Sequence, residues 1–101
     1  MKRLAILGIA SVFSVLAFAV DGAEIYKKCV GCHGVDGTQK YHPKASPIVT
    51  LRKDRRLRAL EGYKEGNNNK YGMGSAMRAQ VQNLNQLELE AVNEYIESLK
   101  K

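Results

Sequence analysis

The chain has 101 residues, with no tryptophan, only two prolines and only two cysteines. Two cysteines cannot build the multi-bridge framework that staples many small secreted domains. No stretch alternates apolar and polar residues over the length of a strand, so nothing supports a β-sheet. No internal repeat or low-complexity linker interrupts the chain, and this length allows one domain at most. No carboxylate pair and no nucleophile beside a base stands out, which removes the common signatures of an active site. Long apolar runs are missing too, with one exception at the start.

That exception is residues 4–19, an uncharged apolar run that follows Lys2 and Arg3 and ends in Ala17-Phe18-Ala19. A short basic region, an apolar stretch and small residues at its end form an export leader. The reading is a signal peptide over residues 1–19, cleaved after Ala19, which sends residues 20–101 to the periplasm. The alternative is an uncleaved anchor, because the run approaches the roughly 17–25 residues of a membrane span. Loss of Lys2 and Arg3 with the leader lowers the formal charge from +6 to +4.

Apolar residues are thin in what remains, and domains this small struggle to bury enough surface without a staple. Three helices can be read. Asp21 and Glu24 form a capping box for the first, on which Gly22, Tyr26 and Cys29 share one face. Gly22 on that face would let another helix approach closely. The second runs from about Arg52 to Glu65, with Leu57, Leu60 and Tyr63 at three-residue spacing, an interior Gly62, and Gly66 placed to end it. The third begins at Asn85, boxed by Glu88, and carries the stripe Leu89, Val92, Ile96 and Leu99. Its acidic residues Glu90, Glu94 and Glu97 read as a solvated face. Two loops without strand character separate the helices, one from His33 to the second helix and one holding "EGNNNKYGMGSAM". The expected fold is all-α, three main helices with long loops.

The run "RKDRRLR" at residues 52–58 places five positive charges around Asp54. An exported protein rarely meets nucleic acid, so a solvated face, or docking to an acidic protein surface, is the better reading. With Leu57 and Leu60 facing inward, most of these arginines should point to solvent, and Arg55 and Arg56 are natural candidates for a docking patch.

The chemistry is concentrated in "KKCVGCHGVDG". A redox Cys-x-x-Cys favours a βαβ setting that this chain lacks. A closed zinc site needs four ligands, and although Cys29, Cys32, His33 and His42 supply the number, adjacent Cys32 and His33 diverge too sharply to share one tetrahedral ion easily. Covalent haem attachment uses every residue of the motif. On a helical turn Cys29 and Cys32, at i and i+3, share a face and can reach two neighbouring vinyl groups, while His33 at i+4 comes up beneath the iron. A covalent haem would also fill the centre that the apolar residues cannot.

The segments "DGAEIYKKCVGCHGVDG" and "AMRAQVQNLNQLELEAVNEYIESL" together resemble small bacterial class I c-type cytochromes, of the cytochrome c-553 type. The resemblance implies one haem c and its iron, thioethers at Cys29 and Cys32, and His33 as proximal ligand. It implies first and last helices that cross near the haem, with Gly22 and Tyr26 against Tyr95 and Ile96. It favours Met77 over Met73 as the distal ligand, since Leu84 stands seven residues beyond Met77. His42, in a polar loop, is a third candidate for that position. Pro47, or the nearby Pro43, matches a proline whose carbonyl accepts a hydrogen bond from the proximal histidine. The implied function is a non-enzymatic, monomeric electron carrier that docks transiently with redox proteins. Donors of the kind implied are a cytochrome bc complex or a dehydrogenase, and acceptors a terminal oxidase or peroxidase. A rival expectation is a haem protein with a vacant sixth position.

Overall fold

The computed structural model of the chain describes residues 20–101; the leader reading at residues 1–19 lies outside the described residues. Among the described residues five α-helices form: α1 (Gly22–Tyr26), α2 (Val30–His33), α3 (Lys53–Glu65), α4 (Gly74–Val81) and α5 (Gln86–Ser98). Short 3-10 turns occupy Lys27–Cys29 and Ile48–Thr50, and no strand occurs among the described residues. The all-α expectation holds. No helix among the described residues is long and apolar enough to cross a membrane.

α5 is the most regular element. Asn85 accepts from the Glu88 amide at 2.9 Å, and the Glu88 carboxylate accepts from the Asn85 amide at 2.9 Å, so the expected capping box is complete. Leu89, Val92 and Ile96 are buried. Each such side chain contributes about 1.5–3 kcal/mol by leaving water. The box expected for α1 is only half made. Asp21 Oδ1 accepts from the amides of Ala23 and Glu24 at 3.0 and 3.4 Å, while the Glu24 carboxylate turns outward to Lys27 at 2.9 Å.

α1 packs on α5 at Gly22. A Cβ added there would collide with the carbonyl oxygen of Ala91, so any side chain would force the helices apart. One turn on, Tyr26 is buried and its ring sits 5.4 Å from that of Tyr95, tilted by 46°. This is the crossing the resemblance implied. Leu60, Val81, Leu84, Leu89, Val92 and Ile96 complete the core around Tyr26.

α3 ends at Gly66, which adopts a left-handed conformation (φ 85°, ψ 15°) that only glycine takes without strain. Its amide and that of Asn67 return to the Gly62 carbonyl, closing the last turn. On its inner face the expectation fails at one residue. Arg52, Arg55 and Arg58 are exposed, but Arg56 is 2% exposed. Arg56 lies four residues before Leu60, so both fall on the core-facing stripe. Glu97 is correspondingly not on a freely solvated face: it accepts from Arg56 Nη2 at 2.7 Å.

α4 falls where the sequence suggested only loop. Its residue at the capping position, Met73, offers no side-chain cap. The first-turn amide of Gly74 is instead satisfied by Asn69 Oδ1 at 2.8 Å, from five residues upstream. A cap that distant leaves no local signature.

Candidate haem site

From Gly22 to His33 the backbone stays helical, tightening through Lys27–Cys29 and relaxing again at Val30. Cys29, Cys32 and His33 therefore share one face, as their spacing requires. Gly34 (φ 83°) ends the segment. The Tyr26 hydroxyl donates to the Gly34 carbonyl at 2.7 Å and holds the end of the motif against the first helix. Burial, with the nearby Cys29 and Asp36, pushes the Tyr26 hydroxyl up to about 12, so it stays a donor across the physiological range. Spacing in the sequence put Tyr26 on the cysteine face but carried no sign of this tether, which depends on a turn eight residues away.

Both cysteines are free thiols, Cys29 half-buried and Cys32 exposed. Burial raises the Cys29 thiol above its ordinary range, against the opposing pull of Lys28. His33 is half-buried, and desolvation lowers its pKa, so the ring is neutral near pH 7 with a nitrogen lone pair available. Among the described residues, neither ring nitrogen of His33 makes a hydrogen bond, while its backbone carbonyl accepts from the Gln39 amide at 3.0 Å. Two uncommitted thiols and an uncommitted neutral imidazole on one face are a donor set that fits covalent haem.

Zinc fares worse: among the described residues no group of three His, Cys, Asp or Glu side chains comes together as a metal site would require. No strand flanks the pair to support a redox motif of the βαβ kind.

For the sixth position, Met77 on α4 is half-buried and packs against the buried core cluster. Met73, at the start of α4, is half-buried outside that cluster. His42 is engaged elsewhere: its Nδ1 accepts from the Lys44 amide at 3.1 Å, and its ring lies 5.5 Å from that of Tyr71. The Pro47 carbonyl accepts from the Thr50 amide at 3.0 Å and the Thr50 hydroxyl at 2.7 Å, and no bond joins it to His33. Pro43 accepts from Lys40 Nζ at 3.2 Å.

The turn at Ile48–Thr50 is tied to the motif through its backbone, since the Val49 amide donates to the Gly37 carbonyl at 3.1 Å. The loop carrying Gly37 also presents Val35 and Tyr41, which are 72% and 63% exposed. Lys28, Lys40 and Lys44 lie in the same stretch of chain and form no ion pair among the described residues.

Known proteins match the chain at two levels. The family model for cytochrome c matches residues 19–100. The chain is also 34% identical over 107 residues to Cytochrome c-553 of Nitratidesulfovibrio vulgaris (strain DSM 19637 / Miyazaki F), covering 98% of this chain and 100% of that protein. A match over nearly the whole length places this chain in the cytochrome c family, whose members hold haem c and its iron by covalent attachment, and the two free thiols of this chain suit that attachment.

Proposed function

We propose that the protein is an exported, periplasmic monohaem electron carrier in which Cys29 and Cys32 form the thioethers and His33 and Met77 are the axial ligands. The observation that carries the reading is the contrast among donors. The His33 ring has no competing hydrogen bond among the described residues and Met77 packs against the buried core, while His42 Nδ1 is engaged by the Lys44 amide and its ring lies beside Tyr71.

The bound group supplies a one-electron iron couple, and ligation by histidine and methionine raises its potential relative to harder ligands. The chain does the rest. α1 and α5 fix the motif, Tyr26 holds its end, and the neutral His33 ring offers a lone pair without first losing a proton. Rotation of the Thr50 hydroxyl would free one lone pair of the Pro47 carbonyl for the His33 ring N–H, orienting it and raising its basicity. With His33 and Met77 both holding the iron, no place would be left on it for a substrate, which favours electron transfer over catalysis.

Docking uses the face around the motif. Val35 and Tyr41 offer an apolar centre, and Lys28, Lys40 and Lys44 offer unpaired cations. This suits transient encounters with acidic redox proteins, a donor such as a cytochrome bc complex or dehydrogenase and an acceptor such as a terminal oxidase or peroxidase.

The test separates the methionines. Met77→Ala abolishes the weak red-edge sulfur-to-iron absorption of the oxidised holoprotein and opens the reduced form to carbon monoxide, while Met73→Ala leaves both as they were. The reverse pattern moves the ligand to Met73. Carbon monoxide binding by the unaltered reduced protein would overturn the carrier reading.

A further inference from the structure

Arg56 is the one buried cation among the described residues, and haem attachment does not call for it. Its guanidinium makes five hydrogen bonds. Nε donates to Asn93 Oδ1 at 2.5 Å, Nη2 to the Asn93 carbonyl at 3.2 Å and to Glu97 Oε1 at 2.7 Å, and Nη1 to the carbonyls of Ile48 and Leu51, both at 3.2 Å. Asn93 is itself 2% exposed and donates onward to the Lys53 carbonyl at 3.0 Å. One side chain therefore joins α3, α5 and the turn at Ile48–Thr50.

The two bonds to the turn matter most. That turn has little to hold it. Its own closure is the pair of 3-10 bonds from Thr50 to Pro47 and from Leu51 to Ile48, with the Thr50 hydroxyl on the same Pro47 carbonyl. Of its side chains only Val49 is fully buried. Yet it is joined to the loop that follows the attachment motif, where the Val49 amide reaches the Gly37 carbonyl, while Ile48 packs against the buried core. Gly37 in turn donates to Gly34, the residue after His33 and the acceptor of the Tyr26 hydroxyl. A rigid five-donor fork can take several acceptors at fixed angles, which neither an apolar side chain nor a single ammonium can do.

We propose that Arg56 is a positioning residue of the haem site, clamping the Pro47–Leu51 turn between the two long helices and so holding the loop that follows His33. The proposal rests on the assignment of Cys29, Cys32 and His33 to haem attachment, but not on which methionine is the distal ligand. Its sequence signal is an arginine four residues from a core leucine with an asparagine on the facing apolar stripe, a pattern that reads as surface charge until the helices are packed.

The experiment compares Arg56→Lys, Arg56→Met and the core variant Val92→Ala in the holoprotein, by amide hydrogen exchange and by reduction potential. Lysine keeps the charge and loses the fork. Both Arg56 variants should speed exchange at Val49 and Leu51 by about tenfold beyond any change at Leu89 and Ile96, because the turn opens locally while the helices stay closed. Both should shift the potential, downward and further in Arg56→Met, where a positive charge is also lost. Val92→Ala should alter global stability without singling out the turn. An Arg56→Lys protein with unaltered Val49 exchange and potential would overturn the proposal, as would a Val92→Ala protein with the same local signature. If Arg56→Met does not fold, the lysine variant alone decides. Failure of the attachment assignment shows separately, as an intact mass of the unaltered chain that lacks haem.

Discussion

Two basic stretches invite comparison: the lysines from Lys27 to Lys44 around the attachment motif, and the dense run at residues 52–58. By density of charge, the run at 52–58 is the stronger candidate for a docking patch. In the folded chain most of its cations are paired: Asp54 pairs with Arg52 at 2.9 Å and Arg58 at 3.4 Å, and Glu94 of α5 pairs with Lys53. Arg56 is buried against Glu97. That leaves Arg55. The lysine stretch is sparser, yet only Lys27 has a carboxylate partner among the described residues. Charge density along a sequence is not charge available to a partner. The run meets its carboxylates partly at Asp54 and partly on the facing helix α5, at Glu94 and Glu97, whereas Lys28, Lys40 and Lys44 meet none among the described residues.

The comparison can be pressed hardest at the motif itself. Replacing Cys29 or Cys32 by alanine should remove a thioether, and replacing both should leave a chain without covalent haem and largely unfolded. The protein has few apolar side chains to fill the centre without it. Intact mass and far-ultraviolet circular dichroism check this, and a folded double variant would refute it.

Next in size is the contrast between neighbours in the basic run. Arg56→Ala orphans Asn93 Oδ1 and removes a donor from two turn carbonyls, for a loss of about 3 kcal/mol. Arg55→Ala, at an exposed position without a partner, should change stability by less than about 0.5 kcal/mol. Denaturant titration of the two holoproteins checks the pair, and equal losses would erase the distinction between them.

Docking gives a smaller effect. Reversing Lys28, Lys40 and Lys44 to glutamate should slow association with an acidic redox partner several-fold, and the difference should shrink as salt shortens the screening length to about 8 Å. Arg55→Glu should do less. Stopped-flow electron transfer across a salt series reads both. Rates indifferent to the lysines but sensitive to Arg55 would return docking to the 52–58 run.

The smallest effect is in pH. The hydrogen bond from Arg56, supported by Lys100, holds the Glu97 carboxyl below the ordinary glutamate range. A lowered folded-state pKa contributes stability that is fully present above the ordinary glutamate value and is lost as pH falls through the lowered one. Glu97→Gln should therefore cost stability at neutral pH and flatten the acid limb of the stability profile. An unchanged acid limb would mean that the pair contributes nothing.

The motif and α5 were legible in the sequence because their determinants are local. Cys29, Cys32 and His33 sit within five residues, and the Asn85–Glu88 box spans four. α4 and the Arg56 clamp were not legible because theirs are remote. The cap of α4 comes from Asn69, in a loop that must fold back, and the side-chain partners of Arg56, Asn93 and Glu97, lie about forty residues away on another helix. Tyr26 falls between these cases, placed on the right face by its spacing but joined to Gly34 only once the chain turns back.

By itself the sequence determined an all-α chain with a haem-attachment motif on a helical turn, since helix periodicity, capping boxes and Cys-x-x-Cys-His all act over a few residues. Only the tertiary structure decided which cations stay in solvent, which carbonyls Arg56 satisfies and which methionine packs against the buried core. Those outcomes depend on which helix faces meet, and burial turns a charge that water would screen into one that must find its partners inside the protein.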